Sequence, residues 1–414
     1  MFYINIAYIF MDLGMYGYIT KTEKLNGMIK SNPEDFIVEE IPFDIKKDDN
    51  GKYLIIKARL YDWDTNRFVM YLARHMNISR KRITYAGTKD KRAVTTQYFC
   101  INTDRMFSGS INGIEIIEQF RSNDIIKLGD LYGNRFLIKV DYPGDLEKDS
   151  SETLKEINEK GGFPNFFGVQ RFGSMRSNTH YIGKMIIKGE YEKAADKYLY
   201  DDNFDTEEYR INYGKNMDAK NSLKEYPGNL TFERSILGAI ASGNKSSAFN
   251  ALPKNLSIMF VHAFQSYLFN KMLSERMKHV KDLKTVIEGD LLYNIDDYFN
   301  PDKKRLIEAN RYNLEMLNNL SSMDKIRPVI PLPGFDTRMP DGLQRDIMLK
   351  VLEDENVSLQ DFKIPGEYSY MSSSGDYRII SAKPINLKFP EKNKLDFILG
   401  RGIYATSFLR EIIK

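Results

Sequence analysis

The sequence predicts an α+β protein in which a sheet-forming domain is interrupted by a more helical insertion. Three observations carry that prediction. Apolar residues alternate at period two through the first third of the chain and again near its end. The composition beyond about residue 178 turns helical in character. And 414 residues exceed what one typical core organises. The expected division is 1–180 for the first part of the sheet domain, 181–365 for the insertion and 366–414 for the closing part.

Taken in order, residues 1–20 are apolar, but Asn5 and Asp12 interrupt them, and they lack a basic start and a small-residue cleavage site. They read as a core-seeking strand rather than a signal peptide or membrane span, with residues before Met11 alternatively an extension from an upstream start. DFIVEEI and KYLIIKARL, separated by the turn-like DDNG, read as two strands. Asp64 or Thr65 can cap a helix whose Phe68, Val69, Leu72 and Met76 share a face. A short basic helix, the Gly87 loop and the strands TTQYFCI, GIEIIEQF and NRFLIKV follow. A polar helix near 146–160 then stops at Gly161 and Gly162, which favour left-handed backbone. The longest expected helix covers 255–280, with Ile258, Val261, Gln265, Leu268 and Met272 close to one face. The last forty residues return to strand-like alternation.

Composition narrows the function. Cys100 is the only cysteine, which excludes a disulfide framework and multi-cysteine zinc sites and makes a reducing cytoplasm the expected compartment. The four histidines show no metal-ligand spacing. GAIASGNKSS departs from a phosphate loop because Asn244 adds a residue between Gly243 and Lys245, and no GxGxxG follows a strand. The net charge of +3 says little, but residues 74–92 hold seven basic side chains and one acid. That stripe suits a phosphate backbone, or else is an ordinary solvated helix face.

Two segments carry chemistry. In TYAGTKDKRAVTTQ (84–97), Asp90 stands between Lys89 and Lys91 just after Gly87. Neighbouring cations favour an ionised carboxylate, which can act as a nucleophile, although an ordinary charged turn has the same composition. The segment GGFPNFFGVQRFG (161–173) breaks every period and holds four Phe and four Gly. Flat rings mixed with Asn165, Gln170 and Arg171 suit an unstacked base, or else fill a core. Glu39 and Glu40 could partner Asp90 as glycosidase carboxylates, though strand alternation also accounts for them. A non-catalytic RNA-binding protein would need the stripe and the rings but not Asp90.

Together SNPEDFIVEE, AGTKDKRA, NFFGVQRFG, HAFQSYLFN and the closing GIYATSFLREIIK resemble the TruD family of tRNA pseudouridine synthases, in the family's order and over nearly the whole chain. Length and ending are similar to the archaeal branch. Phe166 stands where the family loop usually has Tyr, which keeps the ring and loses the hydroxyl. The resemblance implies a pseudouridine-synthase catalytic domain, a mixed and largely antiparallel sheet with flanking helices, interrupted by an inserted α/β TRUD domain. It implies isomerisation of uridine 13 of tRNA with no cofactor or metal, and no membrane partner; a monomer is the expected state. By the same resemblance Asp90 is the catalytic aspartate, Phe167 the ring stacked on uracil and Asn165 a neighbouring polar contact. Lys30 is the basic residue near the carboxylate and Tyr404 a second pocket wall. Arg80, Lys81, Arg82, Lys89, Lys91, Arg92 and Arg171 are the expected RNA contacts.

Overall fold

A computed structural model describes residues 12–23, 25–29, 31–89, 92–173 and 175–413. Asp90, Lys91 and Lys30, all named above as site residues, lie outside the described residues, as does most of the N-terminal segment expected to be a strand. Residues 12–20 form no strand. They run as an irregular, bent strap whose Leu13, Met15 and Ile19 are buried, and Glu411 accepts from the Ile19 and Thr20 backbone N–H groups.

The fold is α+β. Among the described residues nine strands form one sheet, in the spatial order Ile385–Glu391, Lys394–Gly400, Leu131–Asp141, Phe36–Pro42, Val94–Asn102, Tyr53–Tyr61 and Ile114–Ser122, with Met28–Ile29 and Ile83–Tyr85 added at the side. Every pairing is antiparallel except that of Phe36–Pro42 with Val94–Asn102. DFIVEEI and KYLIIKARL are both strands, but they are not neighbours, because Val94–Asn102 inserts between them. That central strand is buried along most of its length, and burial on both faces favours the parallel partner it takes. The strands near the end of the chain join the sheet beside Leu131–Asp141.

A second, four-stranded sheet follows the order Ile307–Glu308, Leu291–Asn294, Ile326–Leu332 and Asp376–Ile379, so it extends past residue 365. Helices surround it, and the longest, Lys254–His279, is buried on nearly all sides through its middle. The tail departs from the expected strand. Ala405–Ile412 is a helix, with Ala405, Phe408, Leu409 and Ile412 buried at helical spacing. The Gly161–Gly162 stop is as read, with φ of +83° and +115°. A Cβ on Gly162 would stand 2.3 Å from the Ala382 carbonyl oxygen, so glycine is required there.

His180, 1% exposed, is packed against Tyr267 and Phe172, and burial holds its pKa down to about 4. The unfolded chain takes up a proton near pH 6.5 that the folded chain refuses until about pH 4. Stability from this group is therefore present above pH 6.5 and lost on acidification, about 2 kcal/mol between pH 7 and pH 5. Denaturant titrations at those two pH values should show His180→Phe losing correspondingly less stability than the parent. Equal losses in both proteins would remove His180 from the acid response.

Candidate functional site

The two loops singled out by the sequence are each held in place by long-range contacts. On the first, the backbone N–H of Lys89 donates to Thr65 Oγ1 at 2.8 Å. Thr65 donates to Gln97 Oε1 at 3.0 Å, and Gln97 Nε2 donates to Thr95 Oγ1 at 3.0 Å. All three polar side chains are buried, so this relay costs little only because each donor meets an acceptor. Thr65 is placed there by its helix, Thr65–His75, whose Asp64 cap accepts from the Arg67 N–H. The Lys89 ammonium turns inward to Glu40 at 3.2 Å, with side chains 10% and 1% exposed. Burial pushes the Glu40 carboxyl up, and the Lys89 charge opposes the shift. Lys89 is thus engaged beneath the loop, which argues against the phosphate contact expected of it. Gly87 needs no special backbone: an added Cβ would meet only Lys89 Nζ, at 3.7 Å. Glu39 faces Arg59 and Arg135, so neither glutamate is a free second carboxylate.

On the second loop the aromatic load is buried. Phe163, Phe166 and Phe172 are 0% exposed and Phe167 is 8% exposed. All four rings belong to buried clusters, and Phe167 keeps the most exposure of them. Its peptide is clamped by Asn270 of the long helix, which accepts from the Phe167 N–H at 2.9 Å and donates to its carbonyl at 3.1 Å. Phe269 and Tyr404 contact the ring edge-on, at centroid distances of 5.5 and 6.1 Å. Asn165, 1% exposed, spends its side chain internally, donating to the Ile379 carbonyl and accepting from Arg378 Nη2 at 2.6 Å. Beside them Gly168 is hemmed in: a Cβ there would lie 2.6 Å from Thr406 Oγ1 and 3.0 Å from Tyr404 Cδ1.

Arg378 is the residue that sequence reasoning missed. It belongs to Asp376–Ile379, the strand joining the second sheet to the Phe163–Pro164 pairing. Its guanidinium carbon lies 4.1 Å from the Phe167 ring centroid and 5.8 Å from that of Tyr404. Nε donates to the Asn165 carbonyl and Nη2 to Gly402 as well as Asn165. Arg171 stands 5.6 Å from the same ring and donates through Nε to Ser266 Oγ. Burial lowers both guanidinium pKa values, that of Arg378 to about 10, with Tyr404 opposing and Arg171 adding to the shift. At about 10 the Arg378 guanidinium stays charged at neutral pH. Among the described residues neither guanidinium has a carboxylate partner.

Among the described residues the two loops are linked only indirectly, through Gly129 and the Arg401–Gly402 turn. Gly129 donates to the Ala86 carbonyl at 2.7 Å and accepts from Arg401 Nη1 at 3.0 Å, next to the Gly402 carbonyl that Arg378 holds. Ala93 shares a buried cluster with Ile403 and Ala405, the neighbours of Tyr404. On the outer face Arg74, Arg80, Lys81 and Arg82 are exposed, and a groove of about 340 Å³ is lined by Met70, Ala73, Arg74, Asn77, Ile78 and Arg80. No three His, Cys, Asp or Glu side chains among the described residues could hold a metal ion, and no described helix is long and apolar enough to cross a membrane.

The model of the tRNA pseudouridine synthase D (TruD) family matches residues 12–412. The chain belongs to the TruD family. It is 52% identical over 388 residues to the protein named "Probable tRNA pseudouridine synthase D" in Thermoplasma volcanium, covering 93% of each chain. To the protein of the same name in Thermoplasma acidophilum it is 48% identical over 383 residues, covering 92% of each. The crystal structure of the Methanosarcina mazei protein assigned to TruD superposes with a TM-score of 0.77 at 35% identity, covering 97% of this chain and 96% of that one.

As a TruD protein the chain is an isomerase of the tRNA pseudouridine synthase class. Membership explains why segments far apart in sequence converge. HAFQSYLFN, read as a packed helix, is packed and also supports the TruD aromatic loop through Ser266, Phe269 and Asn270. The closing GIYATS segment supplies Tyr404 and then starts the helix whose Ser407 donates to the Phe166 carbonyl.

Proposed function

We propose that the chain converts uridine 13 of tRNA to pseudouridine, with Asp90 as nucleophile and without metal or organic cofactor. The observation that carries this reading is the Phe167 site: a held ring, a second ring on Tyr404, and two guanidiniums without carboxylate partners among the described residues. Such a site suits a pyrimidine removed from its stack. The chemistry breaks C1′–N1, turns the base and joins C5 to C1′. Asp90 attacks the sugar C1′ or uracil C6, or assists loss of the 2′ proton; Lys30 is assigned to its vicinity by the family motif alone. Asn165 serves the site by fixing the loop and Arg378 rather than by touching the base directly. Lys89 and Glu40 support the loop and Arg171 belongs with the base site; the exposed Arg80, Lys81 and Arg82 meet phosphates, and Lys91 and Arg92 are assigned to the same role by their place in the basic stripe of the sequence.

Mapping of pseudouridine at nucleotide resolution in an unmodified tRNA transcript tests the reading. Product at position 13 is expected. Product only elsewhere overturns the assigned uridine, and no product overturns the activity. For the basic face, the triple variant Arg80→Ala, Lys81→Ala, Arg82→Ala should lower the slope of log affinity against log salt by about one for each phosphate it no longer neutralises. An unchanged slope would leave those side chains as solvated surface.

A further inference from the structure

We propose that Arg378 is a catalytic residue, the group that receives the detached uracil and holds its negative charge. The inference rests on the synthase reading and assigns a role within it. Phe167, expected to stack on the base, is not a bare platform. Its ring is 8% exposed, and the Arg378 guanidinium lies over it at 4.1 Å. A base brought to this wall meets the guanidinium before the ring, and guanidinium planes stack on nucleobases as aromatic rings do.

The hydrogen bonds of Arg378 show what it has left to offer. Nε and Nη2 are committed to the Asn165 carbonyl, the Asn165 side chain and the Gly402 carbonyl. Among the described residues Nη1 donates to nothing, and it is not sealed from solvent, so its two N–H groups remain for a ligand. The three committed bonds fix the plane, and a preorganised charge needs no reorganisation when the substrate's charge develops.

The reaction creates a matching charge. When C1′–N1 breaks, the bonding electron pair stays on uracil N1 and spreads onto O2 and O4. Nη1 donates to one of those oxygens while the ring turns. C5 then supplies the pair that forms C5–C1′ while any C1′–Asp90 bond breaks and returns its pair to the carboxylate; the C5 proton leaves to a base and N1 takes a proton, so the product is an isomer of the substrate and Asp90 is regenerated. Arg171, 5.6 Å from the same ring centroid, adds a second positive charge at the wall.

Atomic substitution in the substrate, read in the parent protein and in Arg378→Lys, tests the contact. Single-turnover rates are measured with tRNA carrying uridine, 2-thiouridine or 4-thiouridine at the target position. Sulfur accepts hydrogen bonds weakly, so one thio substrate should react about tenfold or more slowly with the parent protein. In Arg378→Lys, which keeps a charge but loses the fork, the uridine rate should fall about 100-fold with tRNA affinity changed less than about threefold, and the thio effect should shrink because its partner is gone. If both thio substrates react with the parent at the uridine rate, the contact is refuted. A thio effect undiminished in Arg378→Lys, or a loss of tRNA affinity equal to the loss of rate, likewise overturns it, in favour of a scaffold or a phosphate contact. Failure of the parent protein to make pseudouridine from uridine would instead sink the synthase reading itself.

Discussion

Asp90→Ala is expected to reduce pseudouridine formation by about 10⁴-fold or more while tRNA affinity stays within about threefold, because a nucleophile acts on the reaction and little on docking. Asp90→Asn, which keeps the shape, should lose as much. Neither variant should unfold the loop, since its described anchors are the Lys89 N–H on Thr65 and the Lys89 ammonium on Glu40. Single-turnover assays with melting curves check both statements. Pseudouridine formation retained in Asp90→Ala at a tenth of the parent rate would remove the aspartate from its assigned role.

Phe167→Leu and Phe167→Ala should give the second large effect, and they separate packing from chemistry. The ring is buried between Phe269, Tyr404 and the Arg378 guanidinium. Its removal in Phe167→Ala leaves a cavity costing about 3–5 kcal/mol of stability. Phe167→Leu fills most of that space and should fold, but it presents no π face to Arg378 or to a base. A stacking contribution of about 1–3 kcal/mol corresponds to a rate lower by about 5- to 150-fold. Turnover at the parent level in a folded Phe167→Leu protein would return this ring to the core, with Phe163, Phe166 and Phe172.

What the sequence made legible was local. The Asp64 cap, the Phe68, Val69 and Leu72 face, the Gly161 stop and the long helix each follow from side chains within a few residues of one another. What it hid was distant. Lys89 looked like a surface cation because its partner, Glu40, is 49 residues away. Asn165 looked like a ligand contact because Arg378, which occupies its carbonyl and amide oxygens, is 213 residues away. Arg378 itself had a faint signal, a lone charge between Tyr377 and Ile379, whose side chains pack with the apolar cluster on the other face of that short strand. The closing helix was misread because Leu395, Phe397 and Leu399 alternate just before it, and the same period was extended through the tail.

Release of tritium from tRNA labelled at uridine C5 reports the isomerisation itself, since joining C5 to C1′ must expel that hydrogen. The parent protein should release one tritium per tRNA and Asp90→Ala none above background. Label that stays on tRNA bound by the parent protein would contradict that isomerisation.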